Sequence, residues 1–270
     1  MIRPVLVALF FLLPTWLHAD ANLVRLYNAL QLDAYVQISQ SEGLADVDVL
    51  SQDMLGRPPS ARLNDQMSAV YDFDRMKNAV MAGLDSLSPD QIAQSLLFFE
   101  SEIGTRIVDL ELSARKAISD DAIEAAARES WRATKVDTTS DELLEHIADI
   151  TTSTDLVNSN VSGALNSNLR FYQGMVSRDG LDLPEDQILT LVWAQEPDIR
   201  NDTTEWLGAY MLMAYAPLDL ADVEIYAELW RTETGGALNA AIFAGFNKMY
   251  NEISYATGQV IALNMAGQDL

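Results

Sequence analysis

From Ile92 onward the apolar positions Leu96, Phe99, Ile103, Ile107, Leu110, Ala114 and Ile118 recur at spacings of three and four residues. That is the period of one buried stripe on one helix face, so a single helix is predicted over residues 92–118. Ser88-Pro89-Asp90-Gln91 opens it: Ser88 can cap, Pro89 suits the first helical position, and Gln91 stands where a capping box needs its return donor or acceptor. Further starts follow the same logic at Thr139 with Glu142, at Ser119 before Asp120-Asp121, and at Asp182-Leu183-Pro184-Glu185, whose helix should reach about Gln195. Pro58-Pro59, Pro89, Pro184, Pro197 and Pro217 all fall between periodic stretches, as helices require. β-type alternation occurs only around residues 45–50. The pattern predicts an all-α multi-helix bundle of roughly nine or ten helices. Residues 241–246, apolar on several faces, should form a central helix, and Tyr210-Met211-Leu212-Met213-Ala214-Tyr215 reads as core, with an apolar ligand groove as the alternative.

The stripe occurs twice. A shift of 131 places Ser88 on Asp219, Gln91 on Asp222, and the stripe positions on Val223, Ala227, Trp230, Thr234, Leu238, Ala241, Gly245 and Met249. Identities are few, Leu87/Leu218, Glu102/Glu233 and Gly104/Gly235, so patterning and a shared Glu-x-Gly carry the comparison. They imply two tandem related helical halves, residues 22–137 and 138–270, docked as one body.

Composition then narrows the setting. The 270 residues carry 40 Asp+Glu against 17 Lys+Arg, a formal charge of −23, and no cysteine, with 49% hydrophobic residues. The apolar fraction supports a real core. The excess of negative charge repels phosphate backbones, so nucleic acid is not an expected partner. Arg3, the apolar stretch from Val5 to Trp16, and Ala19-Asp20-Ala21 follow the charged, apolar, small-residue order of a secretory signal peptide over residues 1–21, cleaved after Ala19 or Ala21. Only 16 residues separate Arg3 from Asp20, short of the ~20 a spanning helix needs, so no membrane span is expected after cleavage. Loss of Arg3 takes the charge to −24. Without cysteine there is no disulfide, thiol chemistry or lipidated cysteine. Periplasmic localisation is the expectation.

Within the stripe, Phe98-Phe99-Glu100-Ser101-Glu102-Ile103-Gly104 resembles the hallmark of the bacterial domain of unknown function 2059 family, usually close to Phe-Tyr-x-Ser-Pro-x-Gly. The resemblance spans residues 87–111 and, more weakly, 218–242, where Leu229-Trp230-Arg231-Thr232-Glu233-Thr234-Gly235 stands at the matching place. Both copies depart at the family's proline, which is Glu102 in one and Glu233 in the other. The resemblance implies an exported, all-helical bacterial protein and no catalytic residue. Physically the motif residues Phe98, Phe99, Ser101, Glu102, Gly104, Trp230, Glu233 and Gly235 read as structural: Phe99 and Trp230 as large anchors on the buried stripe, and Gly104 and Gly235 as positions for close helix approach or a chain break.

Candidate chemistry is sparse. His146 alone remains after signal removal, and with Glu142 it makes an ordinary i, i+4 pair rather than a zinc or di-iron signature. No Gly-x-Ser-x-Gly elbow is present. Asp46, Asp48 and Asp53 lack the order of a calcium loop. Glu100-Ser101 could serve a glycan-cleaving enzyme of the lytic type, which would need an acid held in a cleft. No metal and no cofactor are expected. The reading is a non-catalytic binding or scaffolding module of the cell envelope, whose partner would be an envelope protein or a small apolar ligand; the alternative is a periplasmic Glu-dependent glycan-cleaving enzyme.

Overall fold

The computed structural model describes residues 16–134, 142–178 and 180–266. The charged and apolar parts of the expected signal segment, the Thr139 cap and the junction at 137–138 lie outside them. Every regular element among the described residues is a helix: α1 Trp16–Ala29, α2 Leu32–Ala45, α3 Val47–Leu55, α4 Ala61–Val70, α5 Phe73–Leu84, α6 Pro89–Phe99, α7 Glu102–Ala117, α8 Asp121–Thr134, α9 Glu142–Ser153, α10 Leu156–Val176, α11 Glu185–Trp193, α12 Glu196–Tyr215, α13 Leu220–Arg231 and α14 Glu233–Ala266. This exceeds the nine or ten expected, because stretches that share one apolar stripe are cut into separate helices. The alternating residues 45–50 belong to the end of α2 and the start of α3.

Local chemistry sets several boundaries. Ser88 accepts from the Gln91 N–H and the Gln91 side chain accepts from the Ser88 N–H, completing the capping box with Pro89 behind it. Asp120, rather than Ser119, caps α8, its carboxylate accepting from the N–H groups of Ala122 and Ile123. Ser119 instead donates to Glu42 at 2.7 Å. Pro184 precedes α11, which ends at Trp193.

The single helix expected over 92–118 is two helices, α6 and α7, broken at Glu100-Ser101. Ser101 takes an extended conformation (φ −72°, ψ 164°) and its hydroxyl accepts from the Gly104 N–H at 3.1 Å. The stripe survives the break because both helices turn it toward the same core: Ile92, Leu96, Phe99, Ile107, Ala114 and Ile118 are buried. All eight counterparts from Val223 to Met249 are buried as well.

The axis of the molecule is α14, whose 34 residues span about 50 Å at the helical rise. It lies against α10 along much of its length and against α5. At the α5 crossing Gly83 and Gly245 meet backbone to backbone, and a Cβ on Gly83 would stand 2.3 Å from the Gly245 nitrogen. The largest core cluster runs from Leu26 to Ile253 and draws on residues from both sides of the 137–138 junction. No helix among the described residues is long and apolar enough to cross a membrane.

Candidate functional site

Inside this framework α2, α6, α7, α9, α10, α12, α13 and α14 enclose a cavity of about 340 Å³, within the size range of small-molecule sites. Its wall is aromatic and aliphatic. Tyr35 comes from α2, Phe99 from α6, Trp206, Tyr210, Met211 and Tyr215 from α12, Tyr226 and Trp230 from α13, and Ile242, Phe243 and Phe246 from α14. Two charged side chains of α7, Glu111 and Arg115, also reach the wall.

Glu111 is the chemical centre. Its Oε1 accepts from the Tyr215 hydroxyl at 2.6 Å and from the Tyr226 hydroxyl at 2.9 Å. Its Oε2 accepts no hydrogen bond from the described residues, and the half-buried side chain lies on the cavity wall. One turn of chemistry extends to the backbone, where the Tyr210 hydroxyl donates to the Glu111 carbonyl at 3.3 Å. Burial pushes the Glu111 carboxyl above its ordinary 4.5, while the two phenol donors pull it part of the way back. Burial likewise lifts the Tyr210, Tyr215 and Tyr226 phenols well above 10, with the charge of Glu111 adding to it. These tyrosines are therefore neutral donors at any physiological pH.

Arg115 is already occupied. Its two terminal nitrogens donate to the two oxygens of Glu42 at 2.8 and 2.6 Å, and its guanidinium lies 5.8 Å from the Trp206 ring centre. Burial works to raise the Glu42 carboxyl, but the Arg115 and Ser119 hydrogen bonds outweigh it and hold the group below its ordinary value. The Arg115 charge is thus neutralised in place, and Glu111 is left as the one acid on the cavity wall.

Two of the motif residues, Phe99 and Trp230, belong to this wall. Phe98 packs edge-on to Phe99 at 5.1 Å and stacks on Tyr226 at 5.8 Å; Phe99 meets Trp230 at 6.4 Å, and Tyr226 meets Trp230 at 5.4 Å. Gly104 and Gly235 sit at chain breaks: a Cβ at either would stand 2.1 Å from a carbonyl oxygen six residues earlier, Phe98 in one case and Leu229 in the other. The Thr232 hydroxyl accepts from the Gly235 N–H at 2.9 Å, as Ser101 does for Gly104. Of the two possibilities for these glycines, the break is the one realised. Glu102 and Glu233 are exposed first residues of α7 and α14, where a carboxylate complements the helix N-terminus.

Other candidates lie elsewhere. Glu100 is exposed at the end of α6 and paired with Arg25 at 2.7 Å. His146 on α9 does not line the cavity. Among the described residues no group of three His, Cys, Asp or Glu side chains is placed to hold a metal ion. Glu111 itself was not singled out from the sequence. Its only mark there is position, four residues after Ile107 on the face that buries Ile107 and Val108.

A comparison with family models, with curated proteins and with solved structures finds no match to this chain in any of the three.

Proposed function

We propose that the protein is a non-catalytic binding module of the bacterial cell envelope and that the cavity around Glu111 holds a small, largely apolar ligand. The observation that carries this reading is the partly open, aromatic-walled cavity of about 340 Å³ with one carboxyl group set into it. The lytic enzyme expected as the alternative would need Glu100 as the acid held in a cleft, and the acid in this cavity is Glu111 instead. Glu100 faces outward in an ion pair with Arg25.

Export and membership of the domain of unknown function 2059 family belong to the same proposal. They rest on the order of residues 1–21 and on the motif from Phe98 to Gly104. The two-half architecture is supported by geometry that recurs at the same 131-residue offset. Ser101 and Thr232 cap the Gly104 and Gly235 N–H groups, and both glycines lie beneath a carbonyl six residues back. Phe99 and Trp230, which occupy equivalent positions, touch each other. On this reading the cavity forms where the two halves meet.

Binding is tested with N-phenyl-1-naphthylamine, an apolar dye that brightens in a dry site. The purified mature protein is expected to bind about one equivalent saturably. A titration with no fluorescence rise would remove the reading.

A further inference from the structure

The charge on the cavity wall narrows the ligand class, on the premise that the cavity is a ligand site. Two charged side chains reach it, and one of them, Arg115, spends both terminal nitrogens on Glu42. The other, Glu111, accepts both phenol hydrogen bonds on a single oxygen, Oε1, accepts none on Oε2 from the described residues, and lies on the cavity wall. The same wall carries Tyr35, Trp206, Tyr210, Tyr215, Tyr226 and Trp230, electron-rich rings of the kind that attract ammonium groups. We propose that the cavity recognises an organic monocation, an amine or quaternary ammonium carrying an apolar body, with its charge at Glu111 Oε2.

An anionic ligand has no free partner here: the one guanidinium is neutralised by Glu42, and the protein's −23 charge repels it on approach. A wholly apolar ligand would leave the Glu111 carboxyl unpaired beside it, which costs free energy unless the acid holds its proton. With the cavity empty of cation, burial favours that protonated form. A bound ammonium takes the place of the proton, which leaves to solvent. The volume admits a body of at least about ten non-hydrogen atoms, taking ~30 Å³ for each water-sized group.

The proton exchange makes binding depend on pH. The titratable and charged groups that share the cavity wall with Glu111 are Tyr35 from α2, Tyr210 and Tyr215 from α12, Tyr226 from α13, Tyr250 from α14, which interacts with Ser39 and Arg115, and the Glu42-paired Arg115 on α7. The phenols among them are held neutral by pKa values raised above 10. Arg115 stays charged, its pKa raised by Glu42 against the opposing effect of burial. Among these groups Glu111 is thus the one whose charge changes as pH rises above the ordinary carboxylate range.

Benzyltrimethylammonium and its uncharged carbon isostere, neopentylbenzene, separate charge from shape. Binding is followed by the fluorescence of Trp206 and Trp230, both on the wall, with calorimetry for the cation. The wild-type protein is expected to bind the cation at least about tenfold more tightly than Glu111→Gln, and more tightly at about pH 7.5 than at about pH 4.5. The isostere should bind the wild type no more tightly than Glu111→Gln. A second readout needs no variant: calorimetry in buffers of different ionisation enthalpy, run between about pH 4.5 and 7.5, should show net proton release on cation binding. Equal cation affinity in Glu111→Gln, or no proton release by the wild type, overturns the inference. Binding of the isostere without the cation overturns it while leaving the cavity a ligand site; binding of neither probe overturns both.

Discussion

Glu111 decides most at the level of single residues. A carboxyl whose folded pKa is raised favours the folded state while it is protonated. That contribution is complete below the unfolded value of about 4.5 and is lost as pH rises through the raised value. Glu111→Gln keeps an acceptor for Tyr215 and Tyr226 and removes the titration. The variant is therefore expected to melt at a higher temperature than the wild type at about pH 7, with the gap closing toward about pH 4.5. Thermal scans across that range check it; a variant less stable at neutral pH would show that the charge is compensated. No spacing rule in the sequence marks Glu111, because its surroundings are assembled from side chains of α2, α12 and α13. The aromatic residues were better marked. Tyr210, Met211 and Tyr215 were read as core with a groove as the alternative, and they serve both ends, since Met211 and Tyr215 are buried and all three line the cavity.

Between helices, the breaks matter as much as the helices. The stripe from Ile92 to Ile118 was legible as a period, and the period is the same whether one helix carries it or two. What splits it is the cap at Ser101 and the close pass of the Phe98 carbonyl over Gly104, neither of which changes the apolar spacing. Gly104→Leu forces a side chain into a space that ends 2.1 Å away at that carbonyl. Its thermal midpoint is expected to fall by roughly 5 °C or more; an unchanged midpoint would show that the break tolerates a side chain. A second test concerns α8, which buries no residue of its own. It is held to α12 by Arg128 and Arg132 on Glu205 and by Trp131, whose ring fills the space beside Gly208, 2.1 Å from where a Cβ would stand. Gly208→Ala should displace that ring and speed amide exchange across residues 121–134 by about tenfold. Exchange at the wild-type rate would mean that the ion pairs hold α8 alone.

For the whole molecule, the all-α class and most helix starts were legible because caps and apolar periods are local. The cavity was not, since it depends on how eight helices surround one volume. The −23 charge was legible throughout, and its consequence is global. Exposed ion pairs such as Arg25 with Glu100 contribute little each, whereas 23 excess negative charges repel across the entire surface. Raising sodium chloride from about 10 mM to about 500 mM should therefore raise the thermal midpoint, because screening removes more repulsion than attraction. A falling midpoint would show that the pairs dominate. The central claim is that the volume beside Glu111 is where a ligand sits. Ile242 lies on its wall, and Ile242→Trp would fill much of it. Titrating wild type and variant with N-phenyl-1-naphthylamine at matched folded fraction tests the claim most directly. The expected result is saturable binding to the wild type and at least about tenfold weaker binding to the variant; equal binding to both would place the dye elsewhere and contradict the account.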